Sequence, residues 1–338
     1  MPQTYLRFKR NMVESRFTPI VFSLIAITMR LGMFLSTGIE RNQYPTSFAW
    51  HIISPLFSNI WISLATSTAS IFAIAFIVSQ LNLRFNLIRF RTALPFSMLV
   101  LFFSIHPLFL PMSPNYISAF FLLLAFFPLL QSYQHHAPRN FAFKSGVLIA
   151  LAGTFQVYTL AFFPLWLYGE SSMHGFRIKS SLSLLIGGIL VFWNVAGFYF
   201  IFDNLDSFLI PFRYFGKIDF SIPLFTSVQW AGIGILVALS GMFLVLDYQV
   251  FRRERVLTQK TLSFTVLIII SSFVLHFIYL RQSLSFIYFI TIMLSIIVAH
   301  YYSHIKSKWQ VYSFIILLIG LFLLYINYLI GNPLLLHQ

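Results

Sequence analysis

Residues 145–168 read SGVLIALAGTFQVYTLAFFPLWLY. Whether this stretch crosses the membrane or turns back decides on which side of the membrane every later loop lies. The stretch is apolar enough to enter a membrane, but Gly153, Thr154 and Gln156 interrupt its middle and Pro164 follows. It is either one crossing helix or a re-entrant hairpin of two half-helices that leaves on the side where it entered. Non-helical backbone at membrane depth is tolerated only where protein buries it or water lines it. The hairpin alternative therefore suggests an internal cavity.

The composition around this stretch is that of a membrane protein. Of the 338 residues, 59% are hydrophobic and 9% are charged, and the mean hydropathy is +0.84. A soluble domain carries about 25% charged residues. Further apolar runs of about 20 residues, the length that crosses the hydrocarbon layer, lie near 17–36, 53–78, 92–110, 116–131, 180–202, 224–246, 262–280, 283–303 and 311–331.

We therefore predict an all-α, polytopic transmembrane helix bundle with about nine full spans plus a re-entrant hairpin at 145–168. No linker or internal repeat divides the chain, so residues 1–338 are expected to form a single integral membrane domain. Residues 1–16 alternate apolar and basic side chains, which predicts an amphipathic segment on the membrane surface.

The basic residues of the loops choose between the two paths. Short cytoplasmic loops of membrane proteins carry an excess of Lys and Arg. If residues 145–168 turn back and the N-terminus is inside, 17 basic residues lie inside and four lie outside; a single crossing gives 12 inside and nine outside. The hairpin is therefore favoured. The pattern predicts a multi-pass membrane protein with a cytoplasmic N-terminus.

Net charge and cysteine content exclude several classes of function. The formal net charge of +14 is explained by the basic loops, so we do not expect a nucleic-acid partner. Cysteine is absent, which excludes disulfides, thiolate nucleophiles and cysteine-based metal sites. Phosphate-binding loops of the Walker or dinucleotide type are also absent, so we do not expect an ATP-driven mechanism within this chain.

Polar residues on the predicted outer side are few, and they are the candidate catalytic groups. Glu40, in the first outer loop, is a candidate general base, because a transfer to a hydroxyl needs a carboxylate that accepts its proton. Asp203 and Asp206 are alternatives. On a continuing helix these two would share a face, where Mg²⁺ or Mn²⁺ could bind. Ordinary loop charges and a solvated helix end are the competing interpretations.

Basic residues near the outer side are the candidates for binding a phosphate. Arg30 lies within an apolar span, where it must pair, snorkel or face water. With Arg281 it could hold a lipid phosphate or diphosphate by bidentate contacts; alternatively it pairs with Glu40 or another acid. The remaining candidate substrate-binding residues are Arg41, Arg213 and Lys217 on the outer side and Gln156 and Tyr158 in the hairpin.

The histidines do not suggest a metal centre at this stage. His51, His106 and His276 are scattered over the spans, and His135 and His136 form a loop pair. We interpret these side chains as packing and interface residues and predict no histidine metal site. No cofactor is firmly implied beyond the possible Mg²⁺ or Mn²⁺.

The stretch from Pro114 to Val191 carries a resemblance. It begins PNYISAFFLLLAFFPLLQSYQ, continues after a basic loop with GVLIALAGTFQVYTLAFFPLWLYG, and after a second basic loop with SLSLLIGGILV. This layout resembles an uncharacterised family of bacterial inner-membrane proteins. It is also similar to lipid-carrier-dependent glycosyltransferases of the polytopic GT-C type. The resemblance implies a polyprenyl-phosphate sugar donor and an acidic residue in the first outer loop, where Glu40 is the one acid.

Three functions remain open. As a glycosyltransferase, the protein would transfer a lipid-linked sugar at the outer face, with residues 208–217 as an interfacial lid. As a transporter or lipid flippase, it would use Gln156, Tyr158, Asn194 and Arg30 as a midplane site; embedded acids are expected to be missing from the spans, which argues against proton coupling. As a structural subunit, it would bind a partner membrane protein of the cell envelope. Membrane lipids are partners in all three.

Overall fold

The computed structural model describes residues 3–38, 47–88, 92–202, 205–217, 227–279 and 284–331, and the regular structure within these ranges is helical. The helices of the first half are α1 (Gln3–Phe8), α2 (Thr18–Thr37), α3 (Trp50–Ile53), α4 (Ile60–Phe85), α5 (Leu94–Ile105), α6 (Pro114–Leu124), α7 (Phe126–Gln131) and α8 (Arg139–Phe155). Those of the second half are α9 (Phe163–His174), α10 (Ile178–Ile201), α11 (Leu205–Gly216), α12 (Ser227–Phe251), α13 (Val256–Ile278), α14 (Leu284–Ser303) and α15 (Lys308–Gly331).

Eight helices within the described ranges are long and apolar enough to cross a membrane: α2, α4, α6 with α7, α10, α12, α13, α14 and α15. The prediction of an all-α, multi-pass helix bundle is confirmed. The span predicted at 92–110 is instead the 12-residue α5. It ends early because His106 has an extended backbone conformation and Pro107 starts a 3₁₀ turn.

Two other boundaries differ from the hydropathy pattern for local reasons. The run at 53–78 becomes α4 at 60–85, because a 3₁₀ turn with Pro55 precedes it and Asn59 caps the new start. The Asn59 carbonyl oxygen accepts the backbone N–H of Trp61 at 2.9 Å, as expected of an N-cap. The run at 224–246 extends to Phe251, which carries Asp247 into the helix.

Helices α8 and α10 lie side by side and run in the same direction. The hydroxyl of Ser183 donates to the carbonyl of Arg139 at 3.0 Å, so the beginnings of the two helices are adjacent. Further along, Gly187 lies against Phe143, and Gly153 lies near Phe192. Since the residue numbers increase together on both helices, the chain between them returns to the end where α8 begins. A turned-back segment at 145–168 requires this parallel direction.

The return path is a 3₁₀ turn, Val157–Phe162, followed by α9. On the way back, the indole N–H of Trp166 donates to the carbonyl of Ala125 at 3.4 Å. After α9, Arg177 donates to the carbonyl of His136 at 3.3 Å, and Lys260 donates to the carbonyl of Ser172. These contacts gather loops 132–138, 175–177, 252–255 and 304–307 at one end of the bundle, here called the basic end.

Burial divides the helices into a core and a lipid-facing shell. Helix α14 is at the centre, since every residue of its most apolar 18-residue window is buried, whereas in α10 only 22% of that window is buried. Trp193 and Ile201 on α10 and Trp309 on α15 are among the most exposed side chains. Large apolar side chains exposed in such numbers are suited to lipid contact. The N-terminal segment packs back on the bundle, with Phe8 against Phe314.

Candidate functional site

Arg30 is buried and bonded to neutral groups. Its Nε donates to the hydroxyl of Thr68 at 2.9 Å and its Nη2 to the hydroxyl of Ser67 at 2.6 Å. Its Nη1 and Nη2 also reach the backbone carbonyls of Phe103 and Leu110, at 3.2 and 3.4 Å. The residue is 2% exposed.

The contacts of Arg30 with the described residues support a structural role. Its partners among them are hydroxyls and carbonyls, and its guanidinium is buried within the bundle. Through these hydrogen bonds the Arg30 guanidinium connects α2 with α4 and with the end of α5. Arg281, the other half of the hypothetical phosphate clamp, lies outside the described residues.

Gln156, at the tip of the hairpin, joins three helix ends. Its amide nitrogen donates to the side-chain carbonyl of Asn115 at 3.1 Å and to the hydroxyl of Ser285 at 2.6 Å. The backbone N–H groups of Phe48 and Ala49 both donate to the carbonyl of Thr154. Protein groups therefore satisfy the freed backbone carbonyl and the buried side-chain amide. Burial by protein is one of the two settings in which non-helical backbone is tolerated at membrane depth.

The remaining members of the hypothetical transport site are not gathered around Gln156. Tyr158 is buried, with its ring 4.8 Å from that of Tyr279 and its hydroxyl 3.5 Å from the carbonyl of Tyr214. Asn194 is exposed and donates to the carbonyl of Leu190 on its own helix.

Of the candidate catalytic residues, only Asp206 lies within the described part of the chain. Glu40, Arg41 and Asp203 lie outside the described residues. Asp206, Arg213 and Lys217 are described and exposed, on or directly after α11. Helix α11 is amphipathic, since its Phe208 and Phe212 pack against Phe48.

A cluster that the sequence analysis passed over lies at the basic end. Asp247 on α12 and His300 on α14 are buried, and their Oδ1 and Nδ1 atoms are 2.7 Å apart. One turn later, Nε2 of His304 lies 3.1 Å from a carboxylate oxygen of Glu254 in the α12–α13 loop. Burial lowers the pKa of His304 from its ordinary value of 6.5, although the Glu254 carboxylate acts in the opposite direction.

Two sequence signals could have revealed this cluster. His300 and His304 form a His-x₃-His pair, which places both rings on one face of a helix. Asp247 follows directly after the apolar run predicted at 224–246, so a slightly longer helix buries it. The expectation that the spans contain no acid is wrong at this position. Neither signal indicates that the two segments meet in space.

A second carboxylate–histidine pair lies on α9. Glu170 and His174 are four residues apart, with Oε2 and Nε2 separated by 2.7 Å and both side chains 2% exposed. Like Glu254 and His304 in the cluster at the basic end, this pair joins a glutamate to a histidine, but both residues lie on one helix. It provides a natural control for that cluster.

An apolar groove runs between α12 and α15, with α14 as its floor. Near the basic end it forms a half-open cavity of about 630 Å³, and a smaller cavity of about 60 Å³ continues it toward His106. Both cavities share a central set of residues, Ile235, Leu239, Leu321 and Leu324. At the far end α12 and α15 meet, since a side chain added at Gly232 would collide with the hydroxyl of Tyr328. The groove therefore widens toward the basic end.

No protein-family model, curated protein or solved structure matches this chain. The function must therefore be argued from the residues themselves.

Proposed function

We propose that this membrane protein binds a lipid whose long apolar chain lies in the groove between α12 and α15. The groove is the observation that carries the proposal. Its lining is almost entirely apolar, and its central residues connect two cavities along much of the bundle. A polar solute would find few hydrogen-bond partners there, whereas a hydrocarbon or isoprenoid chain gains contact without loss of hydrogen bonds.

The basic end supports the placement of an anionic head group. Gln310 and Ser313 supply polar groups where the larger cavity reaches this end, and the exposed indole of Trp309 lies beside them. The neighbouring loops carry exposed basic side chains at Arg252, Arg253, Lys306 and Lys308. Lys and Arg attract anionic lipid head groups at a membrane surface, and Trp favours the interface. The proposed ligand is therefore a lipid with a phosphate-type head.

Filling the groove tests this proposal. Gly320 lines the larger cavity, and a Cβ added there meets no atom of the described residues within 4 Å. We expect Gly320→Leu to fold normally and to reduce the amount of lipid that co-purifies with the protein several-fold. The measurement is mass spectrometry of lipid extracted from protein purified in mild detergent, expressed per mole of protein.

Gly241→Leu on α12 is the matched control for this experiment. A Cβ at Gly241 also meets no atom of the described residues within 4 Å, but Gly241 does not line the groove. We expect this variant to retain lipid as the wild type does. Equal lipid retention by Gly320→Leu and Gly241→Leu would refute the groove as the binding place.

Sugar transfer is the finer proposal that the resemblance adds. A polyprenyl-phosphate donor has a long apolar chain that suits the groove, whereas transfer at the outer side requires its head group at the end of the bundle opposite the basic end. The hypothesis places the chemistry at Glu40, on the predicted outer side. We expect Glu40→Gln to abolish transfer at an unchanged protein level, measured from the glycan products of cells; a normal product pattern would rule out Glu40 as the base.

We also propose the membrane in which the protein lies and its orientation there. Basic loops gathered at one end support the bacterial inner membrane with this end and the N-terminus in the cytoplasm. Transport of a lipid and assembly into an envelope complex are alternatives that would also use the groove.

A further inference from the structure

The cluster at the basic end has the composition of a metal centre. The described groups of His300, His304 and Glu254 offer one ligand atom each, and these atoms all lie within 4.8 Å of one another. We propose that these three side chains bind one divalent transition-metal ion, with zinc as the best match, and that Asp247 orients His300 for this role. The proposal does not depend on lipid binding.

His304 directly follows the end of α14, and its backbone N–H donates to the carbonyl of Tyr301 at 3.2 Å, so the helical turn continues to it and brings the two imidazoles together. Residues four apart lie on the same face of a helix, and the ring centroids of His300 and His304 are 4.6 Å apart. Zinc–nitrogen bonds of about 2.0–2.1 Å place tetrahedral ligands about 3.3 Å from one another. Because the ligand atoms all lie within 4.8 Å of one another, side-chain rotations that close the cluster by at most about 1.5 Å are sufficient.

Asp247 provides the second line of evidence. Its carboxylate oxygen is 2.7 Å from Nδ1 of His300, so Nδ1 carries the proton and Nε2 is left with its lone pair. His300 is fully buried, and its Nε2 has no hydrogen-bond partner among the described residues. A carboxylate that holds the far nitrogen of a ligating histidine is a common feature of zinc sites, where it fixes the tautomer.

The ligand types identify the class of metal. Imidazole favours zinc, copper, iron and nickel over Mg²⁺ and Ca²⁺, which prefer oxygen ligands. Two histidines and one glutamate leave a fourth position for water or an anionic oxygen, a pattern found in catalytic zinc sites. The charges also balance, because Asp247 and Glu254 together neutralise a divalent ion bound to neutral imidazoles.

Metal binding by the full-length chain in detergent tests the proposal. The protein is purified with a tag that contains no histidine and stripped with a chelator. Zinc binding is then measured by titration and by elemental analysis. We expect one zinc ion per chain, and Co²⁺ at the same site is expected to give visible absorption bands of nitrogen and oxygen ligation.

Variants assign the binding to these residues. We expect His300→Gln and His304→Gln to lose the ion and Asp247→Asn to weaken binding by about 10–100-fold, as outer-shell substitutions do. His174→Gln, in the Glu170–His174 pair on α9, is expected to bind as the wild type does. Glu254 lies in the α12–α13 loop rather than in a helix. Glu254→Gln therefore reports on metal ligation even if a substitution within a helix causes misfolding.

Two results would overturn the proposal. The first is a wild-type chain that binds no zinc or Co²⁺, which would leave two carboxylate–histidine ion pairs as the whole role of the cluster. The second is a stoichiometry that His304→Gln and Glu254→Gln leave unchanged, which would place the ion elsewhere.

Discussion

Gly187→Val is expected to lower the free energy of unfolding by about 3 kcal/mol, the upper part of the range for overpacked interiors. A Cβ on Gly187 would lie well under 3.0 Å from the backbone carbonyl oxygen of Phe143. A Cβ on Gly146 would collide in the same way with the carbonyl of Leu184. Because these obstacles are backbone atoms, α8 and α10 must separate to make room. Small residues at such contacts are typical of close helix packing in membranes.

Gly197→Val on the same helix is the control. A Cβ at Gly197 meets no atom of the described residues within 4 Å, and both substitutions make the same change in helix propensity. The measurement is the unfolding midpoint in detergent or in increasing SDS for each variant. Equal midpoints for the Gly187 and Gly197 variants would show that α8 and α10 are not in close contact.

Arg30→Lys is expected to destabilise the protein by about 3 kcal/mol, because at least two charge-assisted hydrogen bonds are lost, each worth about 1.5–3 kcal/mol. Arg30 reaches hydroxyls on α4 and carbonyls of Phe103 and Leu110 from three different nitrogens. A lysine has one nitrogen, so it cannot reach both groups of partners, while its charge remains buried.

The control for this substitution is Arg84→Lys, an exposed position at the end of α4. We expect its unfolding midpoint to match that of the wild type. The comparison also separates two roles of Arg30. A residue whose role is to bind a phosphate contributes to ligand binding rather than to the unfolding midpoint, so an unchanged midpoint of Arg30→Lys would contradict the structural role.

Much of the architecture could be predicted because the relevant signals are local. The length and apolarity of single runs predict membrane helices without reference to their neighbours. Single Pro and Asn residues set where a helix begins or ends. Asn59 caps the start of α4, and Pro107 starts the 3₁₀ turn that follows α5. The loop charges favour a turned-back path for 145–168, and the parallel packing of α8 and α10 agrees with that path. The helix signals lie within single runs, whereas the loop charges are summed over the chain from Arg7 to Lys308.

The candidate sites were less predictable because their partners are distant in the sequence. The carbonyl that Arg30 reaches at Leu110 is 80 residues away, and the hydroxyl that Gln156 reaches at Ser285 is 129 residues away. A polar residue in an apolar run must have a partner, but its own sequence does not specify which one. The sequence around Arg30 accordingly suggested an acid or a phosphate, and its partners among the described residues are hydroxyls and carbonyls.

Composition and the lengths of the apolar runs were enough to predict an all-α membrane protein with many apolar helices and strongly basic loops. They are sufficient because the membrane requires every spanning backbone to satisfy its own hydrogen bonds. Only the tertiary structure brought Asp247 to His300, 53 residues apart, and opened a groove between α12 and α15. Those features depend on which helices become neighbours, and helix packing in a membrane is decided by side-chain fit between distant segments.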